Sequence, residues 1–155
     1  MQLALLGVGQ AGGKIVDEFL RYDARTGSNV VRSACVINTA RVDLDGLEHV
    51  TVENRLLIGE ARVSGHGVGA DNELASTIFA ENSDEFGDAL DDIPVHRVDA
   101  FLVVAALGGG TGSGGGPVVI RHLQRLFTEP VYGLGILPAG DEGGIVPGQF
   151  RQRVR

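Results

Sequence analysis

The nine residues 108–116 hold seven glycines, with Thr111 and Ser113 the other two. A run with so few side chains is ordinarily a flexible linker, but its flanks exclude that reading. Residues 100–107 before it are eight consecutive apolar residues, Ala-Phe-Leu-Val-Val-Ala-Ala-Leu, the pattern of a strand covered on both faces. Residues 117–127 behind it read as a helix, with Pro117 in its first turn. A glycine turn held between a buried strand and a helix presents consecutive backbone N–H groups to an anion, and Thr111 and Ser113 add hydroxyl donors. The chain is thereby constrained to a strand–turn–helix unit built around a phosphate-like group.

The N-terminus repeats the arrangement. Residues 2–6 form an apolar strand, followed by Gly7-Val8-Gly9-Gln10-Ala11-Gly12-Gly13-Lys14 and a helix over 12–22 with Ile15, Val16, Phe19 and Leu20 at helical spacing. Further strands are expected at 30–38, 55–58 and 131–137, a short turn or helix at 41–47 and a long amphipathic helix at 71–90. A third glycine-rich loop, residues 65–70, precedes that helix, and a fourth loop spans 138–144. Strands alternating with helices predict an α/β fold: a three-layer, Rossmann-like, mainly parallel sheet with helices on both faces. In such sheets ligands bind at the carboxyl ends of the strands, where these loops gather.

The first motif satisfies GxGxxG, which raises a second reading as the NAD-binding domain of an oxidoreductase. That reading asks for an acid after the second strand to hold the ribose, and Ile37-Asn38-Thr39-Ala40 carries none at the strand end. The motif is not a P-loop, because Ile15 follows Lys14. Composition narrows the classes further. A net charge of −7 argues against nucleic acid as a partner. Twelve Arg against the single Lys14, with twenty acids, suits a salt-rich cytoplasm. The lone Cys35 sits in an apolar run and reads as a small buried hydrophobe. Residues 1–6 are too short for a signal peptide and no stretch reaches membrane-spanning length, so a cytoplasmic protein is expected.

Residues 108–114 resemble the glycine-rich signature of the tubulin/FtsZ superfamily. Other pieces agree in order: Gly9-Gln10-Ala11-Gly12 is similar to tubulin's first nucleotide loop, Asn38-Thr39 to the Asn-Thr after the second strand of FtsZ, and Gly67-Val68-Gly69-Ala70 to FtsZ's third loop. The mixture, with few lysines and many acids, most resembles the CetZ group of haloarchaeal cell-shape proteins, over residues 1–144. The resemblance implies a GTP-binding domain over 1–144 and an atypical basic tail over 145–155.

It also implies roles. Gly9, Gln10, Ala11 and Gly12 would contact the α- and β-phosphates of GTP or GDP. Gly108, Gly109, Gly110, Thr111, Gly112 and Ser113 would wrap the phosphates from the other side. Asn38 would lie near the sugar or β-phosphate, and Glu142 would reach the ribose. Ala70, Asp71 and Asn72 would lie near the γ-phosphate and Mg²⁺, Asp71 as an indirect metal contact; an N-cap is the other reading of Asp71. His66 reads as a surface loop residue. The family reaction is GTP hydrolysis coupled to head-to-tail polymerisation, so the partners implied are copies of itself or full-length relatives. In the family a central helix that reads guanine, an acidic catalytic loop and a second domain follow this region. The expectation for a chain without them is a fragment with no catalytic residue of its own, an exposed apolar sheet flank, and a filament-capping role as a further alternative.

Overall fold

The computed structural model describes residues 1–139. Leu3–Val8 (β1) and Ala100–Ala106 (β4), the two apolar runs, pair in parallel at the centre of one sheet. Val31–Asn38 (β2) flanks β1, Arg55–Leu57 (β3) flanks β2, and Val131–Ile136 (β5) flanks β4. The order is β3-β2-β1-β4-β5 and every pair is parallel.

Side chains alternate across the pleat, so each central strand feeds two cores. Leu5, Ala34, Val36 and Val104 pack against Val16 of Gly9–Thr26 (α1) and Leu44 of Arg41–Asp45 (α2). Leu6, Cys35, Ile37, Phe101 and Val103 face the other way. They meet Ile78 and Phe79 of Asn72–Glu81 (α4), Phe86 and Leu90 of Ser83–Asp91 (α5), and Val119 and Leu123 of Gly110–Leu126 (α6). Glu60–Val63 (α3) is a single turn between β3 and α4. The three-layer α/β reading therefore holds. Cys35 is 4% exposed and burial pushes its thiol up to about 12, so it packs as a hydrophobe. On the α1 side β5 is open, with Tyr132 57% and Leu134 41% exposed.

Three local expectations change. The first turn is shorter than its glycines suggest: β1 runs to Val8 and α1 starts at Gly9. The helix expected at 71–90 is two helices. They break at Asn82, whose side-chain Nδ2–H and backbone N–H both donate to the Ile78 carbonyl, at 2.7 and 3.0 Å. Asparagine competes for backbone partners in this way. Third, most of the glycine run is helix: α6 begins at Gly110, which puts Pro117 well inside it. Proximity to α4 explains the glycines there. A Cβ at Gly114 would stand 2.1 Å from the Asn72 carbonyl oxygen, and one at Gly115 would stand 2.5 Å from the Phe79 ring.

One carboxylate ties α1 to the segment entering β3. Asp17 accepts the N–H groups of His49 (2.7 Å), Val50 (2.8 Å) and Glu48 (3.2 Å) and faces the His49 ring. Burial pushes this carboxyl's pKa up, but the bonds from Val50, His49 and Glu48 together outweigh it and hold it below the ordinary 3.8. A depressed folded value gives stability that is present above the unfolded pKa and lost as pH falls through the folded one.

Two outcomes follow. Asp17→Asn should lose about 1–3 kcal/mol in urea unfolding at neutral pH, and the gap from the parent should close below about pH 4. Gly115→Ala should destabilise by about 1–3 kcal/mol despite alanine's better helix propensity; an unchanged or higher urea midpoint would contradict the packing account.

Candidate functional site

The strand order reverses between β1 and β4, and there the two connections leave in opposite directions and open a crevice. A cleft of about 560 Å³ lies at this point. Its walls are the ends of β1, β2 and β4, the first turns of α1 and α6, the loop carrying Gly67, Val68 and Gly69, and the end of β5 at Ile136 with Leu137 and Pro138 behind it.

The starts of α1 and α6 define its chemistry. The N-caps are Val8 and Gly109, and neither supplies a side-chain hydrogen bond to its helix. The first-turn N–H groups of any α-helix lack partners within it. Here two such ends, each with a favourable dipole for an anion, lie on one cleft. They lie side by side because Gly9 adopts φ +75°, which glycine tolerates, and because a Cβ there would stand only 2.9 Å from the Gly112 nitrogen. By contrast α4 is capped: Asp71 Oδ1 accepts the Leu74 N–H at 2.9 Å.

Thr39 joins the parts. It is fully buried, its hydroxyl lies 2.9 Å from that of Thr111, and its carbonyl accepts the Gly67 N–H at 3.0 Å. The loop it holds carries Ser64, Gly65, Gly67 and Gly69 at φ of 50°, 75°, 80° and 61°. Beside it, Asp43 of α2 accepts a hydrogen bond from Gln10 Nε2 (3.0 Å) and another from Asn38 Nδ2 (3.3 Å).

Of the residues singled out from the sequence, Gly9, Gln10, Ala11, Asn38, Gly108, Gly109, Gly110, Thr111 and Gly112 line this cleft. Others do not. Gly12 is on the buried face of α1, where a Cβ would be 2.3 Å from the Val104 oxygen. Ser113 turns its hydroxyl back to the Gly109 carbonyl. Ala70, Asp71 and Asn72 stand just beyond the Gly69 wall, with Asp71 acting as the N-cap. Glu142 and the basic tail lie outside the described residues.

Two residues were missed as cleft residues. His66, read as a plain surface residue, is exposed but lines the cleft, bridged to Ala40. Asp43, in the first turn of α2, brings a carboxylate to the Asn38 side chain at the end of β2, where the strand itself ends without an acid. The short helix after β2 was the available signal.

Comparison with known proteins decides the class. Residues 2–150 match the tubulin/FtsZ family, GTPase domain. The chain belongs to this family. It is 60% identical over 145 residues to the tubulin-like protein CetZ1 of Haloferax volcanii, covering 94% of this chain and 37% of that one. The GDP-bound CetZ1 monomer superposes with a TM-score of 0.96 at 56% identity, over 99% of this chain and 47% of the other. CetZ2 of the same organism, in a GTPγS-bound protofilament, gives a TM-score of 0.89 at 42% identity, over 99% of this chain and 43% of that one. The chain thus spans less than two-fifths of the length of CetZ1.

Steric freedom at two neighbouring glycines allows a test of the cleft. A Cβ on Gly109 meets no protein atom within 4 Å, whereas one on Gly110 stands 2.4 Å from the Gly69 oxygen. Gly110→Val should push into the adjoining loop and destabilise by about 1–3 kcal/mol or more. Gly109→Val should change stability by about 1 kcal/mol or less while filling the cleft, so thermal melting should separate the two variants and ligand binding should fail in both.

Proposed function

We propose that this chain binds GTP and GDP as the nucleotide-binding part of a CetZ-like cytoskeletal GTPase, working in the cytoplasm on cell shape or division. The observation that carries the reading is the pair of helix starts without side-chain caps at the switch point, on a cleft fit in size for a nucleotide. Family membership and the nucleotides bound to the CetZ1 and CetZ2 structures support guanine over NAD.

In this reading the first-turn N–H groups of Gly9, Gln10 and Ala11 hold one side of the diphosphate. Those of Gly110, Thr111 and Gly112 hold the other, with Gly12 and Ser113 setting the backbone behind them. Gly108 and Gly109 line the approach, and the Thr111 hydroxyl donates to a phosphate oxygen. Asn38 faces the sugar or β-phosphate side, and Glu142 holds the ribose. Ala70, Asp71 and Asn72 border the γ-phosphate. Among the described residues no three acids, histidines or cysteines cluster as a ready metal site. The cleft offers the Asp43 carboxylate, a hydroxyl and backbone carbonyls, which fits an Mg²⁺ that arrives already held by phosphate oxygens and water. Asp71, with Oδ1 used by Leu74, would reach such an ion through water. When bound, the ion neutralises charge on the transferring phosphoryl group.

Hydrolysis needs a positioned water as well as a phosphate cradle. The CetZ2 protofilament supports head-to-tail self-association as the means of completing the site. Copies of the chain itself or full-length relatives are then the natural partners. No helix among the described residues is long and apolar enough to cross a membrane.

Titration calorimetry in molar KCl with Mg²⁺ tests the reading. GTP and GDP should bind, NAD should bind more weakly, and Thr111→Ala should weaken GTP by roughly 1–2 kcal/mol; NAD binding equal to or tighter than GTP would overturn it. The purified chain alone should release negligible phosphate from GTP at any concentration. Turnover rising with chain concentration would place the catalytic acids within residues 1–155.

A further inference from the structure

We propose that Asp43 positions the amides of Gln10 and Asn38 and makes the cleft prefer a nucleotide's phosphates that carry a divalent cation over bare ones. The inference rests on the nucleotide-binding reading above.

The positioning is visible in the bonds. Asn38 is committed at both ends: its Oδ1 accepts the N–H groups of Thr39 (2.8 Å) and Ala40 (3.2 Å), and its Nδ2 donates to Asp43 Oδ2. Gln10, in the first turn of α1, donates its Nε2 to the other carboxylate oxygen. Two neutral donors that face a phosphate cleft are thus turned toward an acid. Only a carboxylate accepts from both at once. An asparagine in its place would set its own N–H₂ against one of the two N–H₂ groups.

The charge has a second consequence. Among the described residues no Lys or Arg lines the cleft. The nearby cation, Arg41, is turned away into an ion pair with Glu60. Asp43 is half-buried in the cleft wall, and no fixed positive side chain stands between it and an entering phosphate. Helix dipoles offset part of a polyphosphate's charge, each as about half a unit. A like charge a few ångströms away still opposes binding by about tenfold or more at the dielectric of a protein surface. A cation carried on the phosphates reverses that sign, because the carboxylate then attracts what it would repel. Partly buried pairs are screened less than exposed ones, so the effect survives high salt.

The test compares the parent chain with Asp43→Asn and Asp43→Ala in molar KCl. Binding of GDP and of inorganic tripolyphosphate is measured by calorimetry, each with Mg²⁺ and with EDTA. The parent should lose about tenfold or more in affinity for both probes when Mg²⁺ is removed, and in the variants that ratio should shrink by about tenfold. A merely structural role would lower affinity equally in both conditions; an unchanged ratio in the variants therefore overturns the proposal. If the variants do not fold, the parent still decides. Its Gln10 and Asn38 side-chain amide NMR signals should respond differently to tripolyphosphate with Mg²⁺ and without it. Equal responses and equal affinities overturn the proposal. A parent that binds Mg²⁺-tripolyphosphate but shows no preference for GDP sinks the guanine reading alone. A parent that binds neither probe sinks both.

Discussion

The close approach of α6 to everything around it is the constraint on which the cleft depends. Helical glycine costs roughly 1 kcal/mol relative to alanine, and α6 carries Gly110, Gly112, Gly114, Gly115 and Gly116 in its first half. Each Cβ that is missing would have met something. The Ala106 carbonyl lies 2.7 Å from the place of a Gly112 Cβ, and the Gly114 and Gly115 positions press on α4. With side chains at these points α6 would stand off from β4 and α4. Its N-terminus would then leave the switch point, and the cleft would have one helix start in place of two. The glycines weaken the helix locally so that its backbone can lie where a ligand's charge is to be met.

This explains what the sequence made readable and what it concealed. The alternation of apolar runs and helical spacing led to the α/β sheet, and the two glycine motifs led to the cleft, because both are local signals. The same glycines read as an open, anion-exposing turn over 108–116, whereas only the short stretch before Gly110 is loop. Composition cannot separate a glycine that faces a ligand from one that faces Phe79; only the path of α4, a tertiary fact, does so. Asn82 ended a helix for a reason of the same kind. Its side chain took the Ile78 carbonyl, while the amphipathic pattern ran on through α5. Asp43 went unread because its role depends on Gln10, 33 residues earlier, meeting it across the sheet edge.

The buried hydroxyl pair Thr39–Thr111 shows how the two halves of the cleft are kept in step. Thr39 ends the β2 side and Thr111 opens the β4 side, so the contact spans the reversal in strand order that creates the crevice. Thr39 also holds Gly67, and Arg41, two residues on, donates its N–H to the Gly65 carbonyl. The loop with four left-handed residues is thereby suspended from the end of β2. A ligand that moves Thr111 is in contact, through one buried side chain, with the loop that forms the opposite wall.

Charge sets the remaining logic. The whole chain carries −7 and the cleft's only fixed charge among the described residues is the Asp43 carboxylate, so long-range attraction does not bring a polyphosphate to this surface. Under the proposed function, recognition of a polyphosphate falls to short-range terms: oriented backbone N–H groups, two helix dipoles and whatever cation the ligand carries. Such terms act only within the cleft and are little weakened by salt, whereas basic side chains on a surface lose much of their effect as ionic strength rises. A cradle made of backbone, with no lysine or arginine among the described residues that line it, thus suits an acidic protein and would keep its selectivity at ionic strengths where surface electrostatics are largely screened.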